Sequence, residues 1–152
     1  MRLTDYTDYS LRTLMYLGLN RDRLVTIQDI ADTYGISKSH LMKVVHQLGL
    51  AGLVETIRGR NGGLRLGKEP SEIILGQVVR YTEPDFAMVE CFDAARDQCV
   101  LSPACELRNA LWHATNAYLK VLDGITLAQL LKNSPSLRKL VKIHFHPSRN
   151  VA

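Results

Sequence analysis

Two short amphipathic stretches meet at Gly35-Ile36-Ser37, and that junction restricts the fold more than any other feature of the chain. Ile27, Ile30, Ala31 and Tyr34 share one side of the first stretch. Leu41, Val44, Val45 and Leu48 share one side of the second, which runs to about Ala51. Both have the spacing of a helix with one buried face. Thr26, followed three residues later by Asp29, has capping-box spacing. Gly35 breaks the first helix, Ser37 is placed to cap the second, and Gly52 lies just past its end. Two short helices joined by a tight, glycine-containing turn form a helix-turn-helix. The strand formers of Leu53-Val54-Glu55-Thr56-Ile57-Arg58, a glycine-rich turn and Leu64-Arg65-Leu66 then predict a β-hairpin, the wing of a winged helix.

Other elements follow from the same logic. Leu11, Leu14, Met15 and Gly18 predict a helix from Tyr9 to Leu19, with Thr7 as its N-cap and Asp8 in its first turn. Ile74, Leu75, Val78 and Val79 predict a short helix to Tyr81, and the weakly periodic stretch from Thr82 to Leu101 predicts a loop. Ser102-Pro103 is expected to open a long helix, with Ser102 as cap and Cys105 in the first turn. Along that helix Leu107, Leu111, Ala114, Tyr118 and Val121 form a seam suited to pairing with another helix. Thr126 caps a further short segment containing Leu127, Leu130 and Leu131. The fold class is therefore mainly α with a small β-hairpin. A winged helix-turn-helix DNA-binding domain spans 1–81, a cysteine-bearing loop 82–101, dimerisation helices 102–133 and a flexible tail 134–152.

A net charge of +4 permits nucleic-acid binding, and its distribution argues for it. Between Ile36 and Lys68, six lysines and arginines face the single acid Glu55, whereas five acids against Arg96 lie between Glu83 and Asp97. A helix fits the major groove of B-form DNA, and the N-terminal end of the second helix of a helix-turn-helix points at base edges. Here that end carries Ser37, Lys38, Ser39, His40 and Lys43. Arg58 and Arg60 sit at a glycine-rich wing tip, which suits a narrow, electronegative minor groove. No apolar run reaches the length of a membrane span, and the N-terminus lacks the apolar core of a signal peptide, so a cytoplasmic location is expected and no membrane partner. An enzyme is not expected. Gly59-Arg60-Asn61-Gly62-Gly63 lies between strands rather than before a helix, so it is no phosphate-binding loop, and no nucleophile elbow is present.

The chain has three cysteines, Cys91, Cys99 and Cys105, separated by seven and five residues. In a reducing compartment such a set points to metal or redox chemistry rather than disulfides. Thiolates suit zinc, copper(I) or an iron–sulfur cluster. The absence of a close cysteine pair disfavours a zinc knuckle, while wide spacing on a loop suits a cluster. Three thiolates leave one position for another ligand.

Taken together, the opening Met1-Arg2-Leu3-Thr4-Asp5-Tyr6-Thr7-Asp8-Tyr9, the Gly35-Ile36-Ser37 turn, the wing Arg58-Gly59-Arg60-Asn61-Gly62-Gly63, the cysteines, Leu111-Trp112 and Ile125-Thr126-Leu127 resemble one family, the winged-helix iron–sulfur regulators. The resemblance covers residues 1 to about 133. It implies a homodimer on a two-fold-symmetric double-stranded DNA operator, with one cluster per subunit held by Cys91, Cys99 and Cys105. In the branch that controls cluster biosynthesis, the fourth ligand is a histidine three residues past the third cysteine, and Arg108 stands there. In the nitric-oxide-sensing branch it resembles an aspartate near the start of the first helix of the other subunit, which matches Asp8, with Asp5 a neighbouring alternative. That branch implies a transcriptional repressor with a 4Fe-4S cluster (2Fe-2S the alternative) whose nitrosylation relieves repression of nitrosative-stress genes. Two competing readings stay open: a regulator responding to redox or iron–sulfur status, and a cluster-free thiol sensor. The first cysteine gap is longer than the family's usual one.

Overall fold

Thr4 opens the first helix. The computed structural model describes residues 2–144, and in it α1 spans Asp5–Leu19, with the Thr4 hydroxyl accepting from the Thr7 N–H at 3.3 Å. The helix thus starts one turn before the expected cap. Thr7 is instead fully buried and donates its hydroxyl to Thr82 Oγ1 at 2.9 Å, so packing against a distant helix takes the group that would have capped.

The helix-turn-helix forms as its caps predict. In α2 (Ile27–Tyr34) both capping-box bonds are present, Asp29 N–H to Thr26 Oγ1 at 3.1 Å and Thr26 N–H to Asp29 Oδ2 at 2.9 Å. Gly35 ends α2 at φ +65°, a left-handed conformation favoured by glycine. Ser37 caps α3 (Lys38–Leu50), accepting from the His40 N–H at 3.4 Å. Leu14 and Leu17 of α1, Ile30 of α2, and Leu41, Val44 and Leu48 of α3 are buried in one core. Burial of each such side chain contributes about 1.5–3 kcal/mol before entropy is counted.

The wing is the antiparallel pair β1 (Val54–Ile57) and β2 (Gly63–Leu66), in register from Val54↔Leu66 to Ile57↔Gly63. Val25 bonds Leu64 in both directions, at 3.0 and 2.7 Å, and so ties the wing to the segment before α2. Next comes α4 (Leu75–Thr82), where the Leu75 N–H donates to the Ile125 carbonyl instead of to a side-chain cap.

Residues 83–105 contain only two short 3-10 turns, Glu90–Phe92 and Ser102–Ala104. The long helix α5 then spans Glu106–Asp123 and starts later than expected. Ser102 is not its cap, because the Ser102 hydroxyl donates to Asp97 Oδ1 at 2.7 Å. Cys105 takes the position, its sulfur accepting from the Arg108 N–H at 3.4 Å. Thr115 and Leu119 are the buried side chains of α5, with Thr115 Oγ1 3.0 Å from Met88 Sδ of the loop, while Leu107 and Val121 of the predicted seam are 66% and 65% exposed.

Thr126 and Gln129 form a second capping box at α6 (Leu127–Leu130), and this element packs on Gly18 of α1. The tail corrects an expectation. Residues 134–144 are not loose but form α7 (Ser134–His144), with Leu137 and Val141 half-buried one turn apart and the helix set against α1 and α2. The rest of the expected tail, 145–152, lies outside the described residues.

Candidate nucleic-acid interface and cysteine loop

The expected reading side chains converge on one end of the winged helix. Ser37, Lys38, Ser39, His40 and Lys43 are all exposed on the first turns of α3, opposite the buried Leu41, Val44 and Val45. The Ser37 and Ser39 hydroxyls lie 3.3 Å apart. The His40 ring stacks on Tyr9 of α1, with centroids 6.4 Å apart and planes at 29°. Met42 belongs to the same surface and is 55% exposed. Sequence reasoning passed over it as an apolar residue, yet its helical phase places it outside the inward set. An exposed thioether there is suited to apolar contact with a thymine methyl group.

Ion pairing separates structural cations from available ones. Arg21, Arg23, Arg65 and Arg80 are paired with Glu69, Asp29, Glu55 and Asp123. Among the described residues, Lys38, Lys43, Arg58 and Arg60 carry no such partner. Cations without an internal partner are available to neutralise a phosphate backbone. Arg65, although on the wing, is compensated across the hairpin: its hydrogen bond and charge hold the Glu55 carboxyl below its usual range.

The wing tip depends on glycine at two positions. Gly59 has φ +119°. At Gly62 a Cβ atom would stand 2.2 Å from the Ile57 carbonyl oxygen. Arg58 and Arg60 are both exposed beside this tight turn.

Asp8 projects half-exposed from the first turn of α1 and is engaged by Arg12, with Nη2–Oδ2 at 2.7 Å and Nε–Oδ1 at 3.0 Å. The Arg12 guanidinium in turn lies 5.9 Å over the ring of Tyr34, the last residue of α2. Burial, followed by the neighbouring Tyr16, pushes the Tyr34 hydroxyl up to about 12, so the ring under that cation stays neutral near pH 7.

The three cysteines are free thiols. Cys91 is buried within its 3-10 turn, and Cys99 and Cys105 are half-buried. Asp97 shapes the segment between them, with Oδ1 accepting from the Cys99 N–H at 3.1 Å and from Ser102 Oγ at 2.7 Å. A cleft of about 710 Å³ separates the loop from α5, between Phe92 and Arg96 on one side and Arg108 and Trp112 on the other. Among the described residues, no three His, Cys, Asp or Glu side chains gather as they would around a single metal ion. Asp8 is therefore not brought to the cysteines of its own subunit as part of such a group. The donor set itself, three free thiols on a loop with little regular structure, fits an iron–sulfur cluster, whose irons lie apart from one another.

Comparison with known proteins gives the family. Residues 3–133 match the model of the family Rrf2, described as an iron-dependent transcriptional regulator. The chain is similar to the HTH-type transcriptional regulator NsrR of Bacillus licheniformis, 56% identical over 142 residues, which is 93% of this chain and 99% of that protein. The NsrR of Bacillus subtilis is likewise 56% identical, over 144 residues that make up 94% and 99% of the two chains. Among solved structures, CymR (YrzC), the global cysteine regulator of B. subtilis, superposes with a TM-score of 0.70 at 30% identity, covering 86% of this chain and 95% of that one. IscR of T. potens gives a TM-score of 0.69 at 25% identity, with 88% of each chain covered. No described helix is long and apolar enough to cross a membrane.

Proposed function

Because the chain belongs to the Rrf2 family of iron-dependent transcriptional regulators, we propose that it is a dimeric repressor whose iron–sulfur cluster senses nitric oxide. The observation that carries this reading is the joining of two unlike surfaces in one small chain. One is a reading head whose lysines and wing arginines are free of internal ion pairs; the other is an acidic loop bearing three free thiols.

Cys91, Cys99 and Cys105 would hold the cluster, 4Fe-4S by resemblance, and Asp8 of the partner subunit would fill the remaining position. When bound, a cluster supplies iron atoms with which nitric oxide reacts. The rest of the work falls to this chain's own residues. Ser37, Lys38, Ser39, His40 and Lys43 enter the major groove, while Arg58 and Arg60 reach the flanking minor groove. The exposed seam of α5, with Leu107 and Val121 at its ends, pairs with the same seam of a second copy. On a two-fold operator the reading heads must then sit one helical turn apart, about 34 Å. A carboxylate is a hard donor and would bind a soft iron–sulfur centre weakly, so Asp8 would be the weakest-held of the four ligands. Without that bond α1 of one subunit would not be tied to the loop of the other, and the spacing of the two heads would not be held. That is the difference between two states that an allosteric account requires.

The test is anaerobic purification followed by visible spectroscopy and iron and sulfide analysis, then titration with nitric oxide while operator binding is followed. The expected results are a broad visible absorption, its bleaching by nitric oxide, and parallel loss of binding. Protein that binds its operator tightly with neither iron nor sulfide refutes the cluster and supports a thiol sensor. A response to iron starvation but not to nitric oxide supports the iron–sulfur-status alternative. Asp8→Ala protein with wild-type cluster retention, nitric oxide response and operator affinity removes Asp8 from the ligand set.

A further inference from the structure

The start of α1 is held from two directions. At the point where α4 passes into the cysteine-bearing loop, the Glu83 carboxylate accepts from the Thr4 N–H at 2.8 Å and from the Thr4 hydroxyl at 3.0 Å. Directly beside it, Thr7 Oγ1 donates to Thr82 Oγ1 at 2.9 Å, and Thr82 Oγ1 donates to the Val78 carbonyl, with both threonines buried. On its other side α1 presents Tyr9, whose ring stacks on His40 in the first turn of α3. That turn is the part of a helix-turn-helix that meets base edges.

Between these two contacts α1 is continuous helix, and its first turns move as one body. A shift of the loop at Glu83 therefore becomes a shift of Thr4, and a shift of Thr4 becomes a displacement of the ring that bears on His40. Stability alone does not explain the arrangement. The Thr4 N–H lies at a half-buried helix end, where water could serve it, and the Thr4 hydroxyl caps by accepting from the Thr7 N–H, which does not require Glu83. A carboxylate placed at a helix N-terminus also interacts with the helix dipole, which makes this bond directional and stronger than a neutral one.

We propose that Glu83 is a positioning residue that transmits the set of its own cysteine loop to the recognition helix, through Thr4, α1 and the Tyr9–His40 stack. The inference rests on the reading of this loop as the sensing segment. It gives each α1 two inputs: its own loop through Glu83, and the partner's loop through Asp8.

The test compares operator affinity of cluster-loaded and cluster-free protein by anaerobic fluorescence anisotropy, for wild type and for Glu83→Ala. The expected result is that the loaded-to-free affinity ratio falls about tenfold, the scale of one charge-assisted hydrogen bond, while visible absorption per subunit is unchanged. Glu83→Gln keeps an oxygen that can accept from Thr4 and is expected to restore most of the ratio. Tyr9→Leu keeps apolar volume but loses the stack, and is expected to lower the ratio as Glu83→Ala does. A lowered melting temperature in Glu83→Ala with an unchanged ratio overturns the proposal, since it marks a purely structural bond. Loss of the cluster in Glu83→Ala also overturns it, because Glu83 would then be serving the cluster itself. A wild-type ratio of one overturns both this inference and the sensing reading. A wild-type ratio far from one that Glu83→Ala leaves intact overturns this inference alone.

Discussion

Replacing Gly62 with alanine separates the wing's part in DNA binding from its part in the fold. A Cβ atom at this position would lie 2.2 Å from the Ile57 oxygen, 3.0 Å from the Gly59 oxygen and 3.1 Å from the Arg58 carbonyl carbon. All three are backbone atoms, so no side chain can swing aside, and the turn must open by about 1 Å to reach ordinary van der Waals distance. Opening removes the Gly62 N–H bond to the Gly59 carbonyl (3.0 Å) and frays the adjacent Ile57↔Gly63 pair. At about 1 kcal/mol net for each, the fold loses roughly 2 kcal/mol. The loss stops there because Leu64 and Val54 stay buried and Val25 still pairs with Leu64. Operator binding suffers more, since Arg58 and Arg60 ride on the opened turn. A lost arginine contact costs about 1–3 kcal/mol, and fewer neutralised phosphates flatten the dependence of affinity on salt. Melting curves and anisotropy titrations at several salt concentrations read the two effects separately. A Gly62→Ala protein that melts a few degrees lower yet keeps wild-type affinity and salt slope would refute a DNA-facing wing tip. An unchanged melting temperature would refute the steric argument itself.

Three further outcomes are expected. Leu127→Ala empties a site that is 2% exposed, where α6 packs beside Gly18, and should lower urea stability by about 2–5 kcal/mol. Burial alone would raise the Asp29 carboxyl, but hydrogen bonds from the Thr26 backbone and Arg23, together with the Arg23 charge, outweigh it and hold it below the usual range. Its contribution, about 1 kcal/mol for a cap, is present above the unfolded carboxylate value and lost as pH falls through the folded one. The stability gap between wild type and Asp29→Asn should therefore close in acid, and a gap that widens there contradicts the assignment. Trp112 is the chain's single tryptophan and is 56% exposed on α5, so raising protein concentration should shift its emission to the blue as the helices pair. A constant spectrum in protein that sediments as a monomer throughout would remove α5 as the interface.

Local signals in the sequence located the elements whose ends are decided locally. Thr26 with Asp29, Gly35, Ser37, and Thr126 with Gln129 each complete their hydrogen bonds within a few residues, and each lies where the sequence indicates. The ends that moved are those decided at a distance. Thr4 and Thr7 are equally able to cap, and the choice between them is made by Thr82 and Glu83, more than seventy residues away. Ser102 is as good a cap as any serine until Asp97 takes its hydroxyl. The helical tail escaped notice because Leu137 and Val141 give only one turn of periodicity, which acquires meaning once α1 and α2 offer a surface.

For the site, residue type was legible and residue pairing was not. A basic face, a glycine-rich turn and three cysteines are properties of single positions, and the structure leaves the basic side chains exposed and the thiols free. Asp8 differs because the fourth-ligand role proposed for it is a relation between groups, between two copies of the chain. Within one subunit its carboxylate is already satisfied by Arg12. That pairing does not argue against a second role. With side-chain exposures of 45% for Arg12 and 42% for Asp8, the pair belongs to the class of surface ion pairs worth about 0–1 kcal/mol. In the ligand role proposed for Asp8, exchanging Arg12 for a metal ion would therefore meet little resistance from this pair. A carboxylate held this weakly within its own subunit suits the exchangeable contact proposed for it.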